Sequence, residues 1–315
     1  MTKGKINILV TGCGGDIGQS VGKILNTCNL VNKLYGCDIS ENNAAKFIYS
    51  NFFIGLPCKD QNYISSLEEI VKEKNIEFII PVSEHELRLF TNKNISKIGK
   101  SKLILASLHA REIGFDKLLT AEFLKSNNLP FPITFEINDF NGAIKFPVIL
   151  KSRTGSGSSN INIVRDNESF DFIKKRNPGF IIQEYLDDNN GEYTCGLFRG
   201  KNGDIKTIII RRELMGSQTG YGEIIYSAEI DSLLHEIAKK LNLNGSINVQ
   251  LRITTKGPKV FEINPRFSST VLFRHLLGFK DLEWSIKDEL NLPINNYINN
   301  SIGKKIYKGF SEYIN

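Results

Sequence analysis

Residues 246–269 read SINVQLRITTKGPKVFEINPRFSS, and their spacing predicts two strands joined by a turn at Lys256-Gly257-Pro258. Val249, Leu251 and Ile253 alternate with Asn248, Gln250 and Arg252, and Val260 and Phe261 lead into Glu262, Ile263 and Asn264. Side chains two apart on a strand share a face. A turn centred near Lys256 therefore sets Gln250 opposite Glu262 and Asn248 opposite Asn264, with Arg266 just beyond. One acid and several amides converging on one surface suit a hard cation such as Mg²⁺, which takes oxygen ligands and shares them with phosphates. A solvated polar face of an antiparallel sheet has the same pattern. The rest of the chain decides between the two.

Immediately upstream, Glu192 to Ile210 reads as two strands around the turn signal Asn202-Gly203. The second ends in Arg211-Arg212, a basic pair able to clamp a carboxylate or phosphate, and Glu213 to Gly222, with its three glycines, reads as a loop. Ser232–Leu241, Ser268–Leu277 and Asp281–Leu290 have helical patterns. Further back, Asp116-Lys117 opens a helix closed by Pro130, and Phe146 to Lys151 is a strand running into Ser152-Arg153-Thr154-Gly155-Ser156-Gly157-Ser158-Ser159. Backbone N–H groups of such a Gly/Ser loop can wrap a phosphate, with Lys117 and Lys151 as point charges. A mobile surface hairpin is the plain alternative. Gly179 to Leu186 is a strand entering an acidic, asparagine-rich stretch.

Residues 1–110 alternate strand and helix patterns, which implies a parallel sheet covered on both faces. Lys5–Thr11 is followed by Gly12, Gly15 and Gly18 at Rossmann-like spacing, and Leu34 to Cys37 by Asp38, where dinucleotide folds hold a ribose. None of the ten tyrosines has a lysine four residues on, so the Tyr-x-x-x-Lys pair of the short-chain dehydrogenases is missing. Ser83, Glu84 and Glu86 follow the strand Phe78–Val82. They are placed either to meet a substrate or to complement a helix dipole.

At 315 residues the length suggests about two domains. The composition, 41% hydrophobic and 23% charged, is that of a soluble globular protein. The net charge of +6 is spread among acids without aromatic interleaving, which argues against a nucleic-acid face. Five scattered cysteines without a CxxC pair fit a reducing compartment and not a cysteine metal site. No apolar run approaches a membrane span. A cytoplasmic location is expected.

Four segments in order, FDKLLTAEFLK, FPVILKSRTGSGSSNI, IIQEYL with GEYT, and NVQLRI with VFEINPRFSS, resemble the ATP-grasp superfamily. They look closest to its carbamoyl-phosphate-synthase-like branch. The resemblance implies an α/β (α+β) architecture: a Rossmann-like pre-ATP-grasp domain over 1–110, a small lid subdomain over 111–186, and a large subdomain with the metal site over 187–315. It implies that Lys117 and Lys151 hold ATP phosphates under a lid that includes Ser152, Gly155, Gly157 and Ser158. Glu184, Tyr185 and Leu186 match the adenine hinge and Glu192 the acid that takes the ribose hydroxyls. Gln250, Glu262 and Asn264 match the Mg²⁺ (or Mn²⁺) ligands, Asn248 an asparagine near the phosphates, and Arg266 the arginine facing the transferred phosphoryl group. Arg212 joins Arg266 and Asn248 as a catalytic candidate.

The implied activity is that of a carboxylate–amine (or carboxylate–thiol) ligase, which activates a small carboxylate as an acyl phosphate and releases ADP and phosphate. Small-molecule carboxylate and amine substrates are the expected partners, with no nucleic acid and no membrane, and with a homodimer as the candidate assembly. Only one module and no internal repeat is present, so full carbamoyl phosphate synthesis is not expected. A nicotinamide-dependent Rossmann oxidoreductase or epimerase and an ATP-binding, non-catalytic regulator are the competing readings.

Overall fold

A computed structural model describes residues 4–155, 161–187 and 190–314. Apolar strand runs separated by amphipathic helices build the first sheet. The elements in order are β1 (Ile6–Thr11), α1 (Asp16–Leu25), β2 (Val31–Asp38), β3 (Asn51–Ile54), α2 (Tyr63–Lys74), β4 (Phe78–Pro81), α3 (Glu84–Asn92), β5 (Lys97–Ile98) and β6 (Ser101–Leu103). The strand order is β3-β2-β1-β4-β6-β5, parallel except for the β5–β6 pair. The order reverses between β1 and β4, and ligands of open parallel sheets gather beyond the strand ends at such a switch point.

Next come α4 (Leu108–Gly114), α5 (Lys117–Ser126), β7 (Thr134–Glu136), β8 (Val148–Ser152), β9 (Ile161–Val164), α6 (Asn167–Arg176) and β10 (Phe180–Glu184). Asp116 caps α5 by accepting from the backbone N–H groups of Leu118 and Leu119. The four strands form a sheet of order β7-β10-β8-β9. The β8–β9 hairpin matches the sequence reading. Its tip, including Ser156, Gly157, Ser158 and Ser159, lies outside the described residues.

The third sheet is made by β11 (Glu192–Arg199), β12 (Ile205–Met215), β13 (Gln218–Ile225), β14 (Gly245–Thr254), β15 (Gly257–Asn264) and β16 (Lys305–Tyr307). The helices α7 (Ala228–Lys240), α8 (Val271–Leu276) and α9 (Asp281–Glu289) lie between its strands in the chain. Its order is β15-β14-β11-β12-β13-β16. Two expectations are corrected here. Glu213–Gly222 is not a loop: β12 runs on to Met215 and turns at Gly216-Ser217 (Gly216 φ +64°) straight into β13. Its glycines serve close strand contact, since a Cβ on Gly222 would lie 2.7 Å from Ile210 Cγ2. Arg211-Arg212 is therefore within a strand and not at its end.

The opening hairpin turns at Thr255-Lys256, one step earlier than Lys256-Gly257-Pro258, because Thr254 pairs with Gly257. Straight pairing from that turn would set Gln250 against Phe261. The register shifts between Gln250 and Leu251, so that Phe261 is the extra residue of a bulge and Gln250 meets Glu262 while Asn248 meets Asn264. The expected pairing is thus reached by a different route.

One apolar core joins the first sheet to the end of the chain: Ile8, Val10, Val21 and Ile24 pack with Phe267, Val271, Leu282 and Ile286. A second core lies between the third sheet and α7, through Leu197, Val249, Leu251, Leu234 and Ile237. Cys13, Cys28, Cys37 and Cys195 are buried and unpaired in disulfides, as small hydrophobes should be. No helix among the described residues is long and apolar enough to cross a membrane.

Beneath the third sheet, Arg274 of α8 and Asp281 of α9 form a fully buried ion pair at 2.8 Å, and Ser246 Oγ donates to the same Asp281 oxygen at 2.6 Å. Removing one partner of such a pair strands the other charge in the interior. Arg274→Met is expected to lower the unfolding free energy by about 3–5 kcal/mol, read from urea denaturation.

Candidate active site

The third sheet aligns its polar residues in cross-strand rows. Glu192 of β11 pairs in register with Arg212 of β12 on one side and Arg252 of β14 on the other. Thr194 stands beside Gln250, and Gln250 beside Glu262; Gly196 stands beside Asn248, and Asn248 beside Asn264. Since paired residues share a face, the alternation read from the sequence brings these groups to one wall of one cleft.

The first row is a charge-alternating clamp. Arg212 Nε and Nη2 donate to Glu192 Oε1 at 3.0 and 2.6 Å, and Arg252 Nε and Nη2 donate to Oε2 at 3.1 and 2.8 Å. Burial pushes the Glu192 carboxyl up, but the two guanidinium groups outweigh it and hold it below the usual range. Arg252 Nη1 also donates to the Leu186 carbonyl at 2.5 Å, and Arg212 Nη2 to Gln250 Oε1 at 3.0 Å. Sequence reading had Arg252 on the correct face, two residues from Gln250, but gave it no role.

Asn248 is fully buried at the back of this wall. Its Oδ1 accepts from Thr194 Oγ1 at 3.0 Å and from Arg274 Nη1 at 3.3 Å, leaving Nδ2 as a buried donor without a partner. Glu262 and Asn264 have no side-chain hydrogen bond among the described residues, and both line the cleft.

The second sheet supplies the facing wall. Lys151 is buried, with Nζ donating to Gln183 Oε1 at 2.8 Å. Burial lowers its pKa to about 8, a drop that the Glu262 charge limits. Lys117, at the start of α5, donates to the Gly155 carbonyl at 2.7 Å. Arg153 ties the same loop stem to Asp116 at 2.8 Å. Ser152 Oγ donates to the Thr154 carbonyl at 2.6 Å. Tyr185 and Leu186 border the cleft. Both Glu184 oxygens are held by Lys259 Nζ at 2.7 Å, so that side chain braces β10 against β15. Arg266 donates to the Phe267 carbonyl at 3.0 Å. Burial lowers its pKa while Glu84 and Glu262 favour its charge.

The cleft, about 1490 Å³, continues to the switch point of the first sheet, where Thr11, Asp38, Tyr63 and Glu86 line it. The two acids of α3 have separate fates. Glu84 pairs with Arg88 at 2.7 Å. Glu86 is buried: Tyr63 Oη donates to its Oε1, while its Oε2 is unpartnered. Burial raises Glu86 to about 7. Asp38 accepts from Gly14 N at 2.7 Å and Ser40 N at 3.2 Å. Asp16 is paired with Lys308 from the far end of the chain.

The cleft thus lies between two sheets of an α/β protein, with lysines on one wall and an acid–amide platform on the other. Residues 115–270 match the family model of the ATP-grasp domain. In overall fold the chain is similar to N5-carboxyaminoimidazole ribonucleotide synthetase in its ADP complex, with 15% identity, 93% of this chain and 80% of that one covered, and a TM-score of 0.74. It is similar to the Staphylococcus aureus N5-carboxyaminoimidazole synthetase complexed with ADP, with 17% identity, 93% and 79% coverage and a TM-score of 0.74. The biotin carboxylase domain dimer of the Hydrogenobacter thermophilus 2-oxoglutarate carboxylase, with MgADP, ADP and bicarbonate, gives 16%, 96% and 73% coverage and 0.74. An uncharacterized protein of Methanocaldococcus jannaschii is 27% identical over 198 residues, which are 61% of this chain and 48% of that protein, so the match spans about half of that relative's length. Residues 115–270 therefore carry an ATP-grasp domain.

The raised Glu86 pKa has a stability consequence. Relative to the ordinary glutamate value of 4.5, a folded value of about 7 gives a contribution fully present below pH 4.5 and lost as pH rises through 7. Glu86→Gln, which never ionises, is therefore expected to raise the unfolding free energy at pH 8, read from urea denaturation, by on the order of 3 kcal/mol at most. The gain should shrink towards pH 5.

Proposed function

We propose that this chain is an ATP-dependent ligase that activates a small carboxylate as an acyl phosphate and joins it to an amine or another nucleophile. The observation that carries this reading is the convergence, in a single cleft of an ATP-grasp chain, of Lys151, the unclaimed Glu262–Asn264 pair and the clamped Glu192. The solved relatives complexed with ADP and MgADP support the nucleotide.

In this reading the adenine lies against the backbone of Glu184, Tyr185 and Leu186, and the ribose hydroxyls donate to Glu192, whose orientation Arg212 and Arg252 fix. Lys117 and Lys151 take phosphate oxygens, with Ser152 and Gly155 in the stem of the covering loop. The buried Asn248 Nδ2, its amide oriented by Thr194 and Arg274, donates to a phosphate oxygen. Glu262 and Asn264 fit a hard divalent cation: their side chains share one face, with Gln250 beside them, and among the described residues no other side chain hydrogen-bonds to either. A bound Mg²⁺ or Mn²⁺ would neutralise charge on the phosphates.

The substrate carboxylate oxygen attacks the γ-phosphorus, the bridging P–O bond breaks, and ADP leaves. The nucleophile then attacks the acyl carbon, loses its proton, and phosphate departs. Arg266 stabilises charge on the moving phosphoryl group. The second substrate occupies the half of the cleft at the switch point, beside Thr11, Tyr63 and Glu86. The separate sheets support a division into units over 1–110, 111–186 and 187–315. In the nicotinamide reading the Gly14 amide and Asp38 would be needed by a dinucleotide, but they are spent on each other.

ATP with Mg²⁺ is expected to raise the melting temperature, and NAD(H) is not. Product analysis should give ADP and phosphate, dependent on an added acid and nucleophile; AMP and pyrophosphate would contradict the mechanism. Glu262→Gln should reduce turnover at least a hundredfold, on the order of the loss seen when a charge-stabilising group is removed. It should also weaken the Mg²⁺ dependence.

A further inference from the structure

Phosphoryl-transfer sites that use a pair of divalent cations set them about 3.5–4 Å apart on shared anionic ligands. The platform of this chain is built differently. Its carboxylates are few: among the described residues no group of three or more His, Cys, Asp or Glu side chains could hold a metal ion. Glu262 is the one acid of the β14–β15 face, and its neighbours Asn264 and Gln250 are neutral. Lys151 and Arg266 both already feel the Glu262 charge.

The Gln250 oxygen is not available as Glu262 and Asn264 are. Arg212 Nη2 donates to it at 3.0 Å, and the same guanidinium is fixed by two hydrogen bonds to Glu192 Oε1. The Arg212 side chain is only 8% exposed and is held through Nε and Nη2 on Glu192, which fixes the guanidinium beside that oxygen. Rotating Gln250 would free its oxygen but leave the guanidinium in place. A divalent ion on that oxygen would then face a permanent cation across one hydrogen-bond length, in a wall where water screens little.

Resting on the ATP-dependent reading above, we infer that Arg212 stands where a second divalent cation would sit. The Glu262–Asn264 pair then takes a single ion, and the guanidinium supplies the other fixed positive charge of the phosphate site. Gln250 is in this assignment a positioning residue for Arg212 and not a metal ligand. Arg212 also links the two ends of the nucleotide site, because the carboxylate that fixes it is the one assigned to the ribose.

The test is a Mn²⁺ titration of the full chain with the β,γ-imido analogue of ATP. Calorimetry counts bound nucleotide, and electron paramagnetic resonance counts Mn²⁺ bound per nucleotide. The wild-type chain should bind one Mn²⁺ per nucleotide. Arg212→Met should admit a second, weaker ion, whereas Arg212→Lys, which keeps the charge, should stay at one. Two Mn²⁺ per nucleotide in the wild type overturns the inference while leaving nucleotide binding intact, as does a single ion in a folded, nucleotide-binding Arg212→Met variant. Failure of the wild type to bind the analogue at all overturns the ligase reading, and this inference with it.

Discussion

The arrangement of the site depends on one extra residue in β15. Side chains along a strand alternate between faces, so a shift of one residue exchanges the wall of the cleft for the core beneath it. From the tight turn at Thr255-Lys256, unbroken pairing would bury Glu262 with the Val249 face and turn Ile263 towards the cleft. The bulge at Phe261 absorbs one residue and reverses this, so that Glu262 and Asn264 join Asn248 and Gln250. The Phe261 ring also lines the cleft, where the Lys151 ammonium lies 5.7 Å from its centroid.

Around that platform the electrostatics follow from the sheet. The Arg212–Glu192–Arg252 row uses the shortest cross-strand spacing to neutralise a buried acid twice over. Glu192 is thereby kept ionised and immobile. Lys151 is buried against a neutral amide, and that burial lowers its pKa to about 8 although the Glu262 charge opposes the drop. A phosphate placed beside it would supply the missing counter-charge. The wall therefore carries excess positive charge where an anionic ligand would lie.

Local patterns made much of this legible. Period-two alternation identified the polar face of β14 and β15, and the run Asp116-Lys117 identified the start of α5, where an N-cap acid and a cleft lysine adjoin. Turn chemistry was less reliable. Glycines at 216, 220 and 222 carry loop signals, yet two of them are in β13 because neighbouring side chains approach too closely for a Cβ. Long-range electrostatics was not legible at all. Nothing in the spacing of Glu84 and Glu86 says that one pairs with Arg88 on its own helix while the other is buried against Tyr63 of α2. The Arg274–Asp281 pair likewise exists only because α8 and α9 pack under the third sheet.

The core that joins α1 and the first sheet to Phe267, Val271, Leu282 and Ile286 has a consequence for how the chain comes into being. A nascent chain emerges from its N-terminus, and domains generally fold as they appear. Here one apolar side of the earliest sheet finds its cover only after residue 286 has been made. The aromatic stack of Phe47 on Tyr313 closes later still. The first third of the molecule must therefore wait, partly uncovered, for the last.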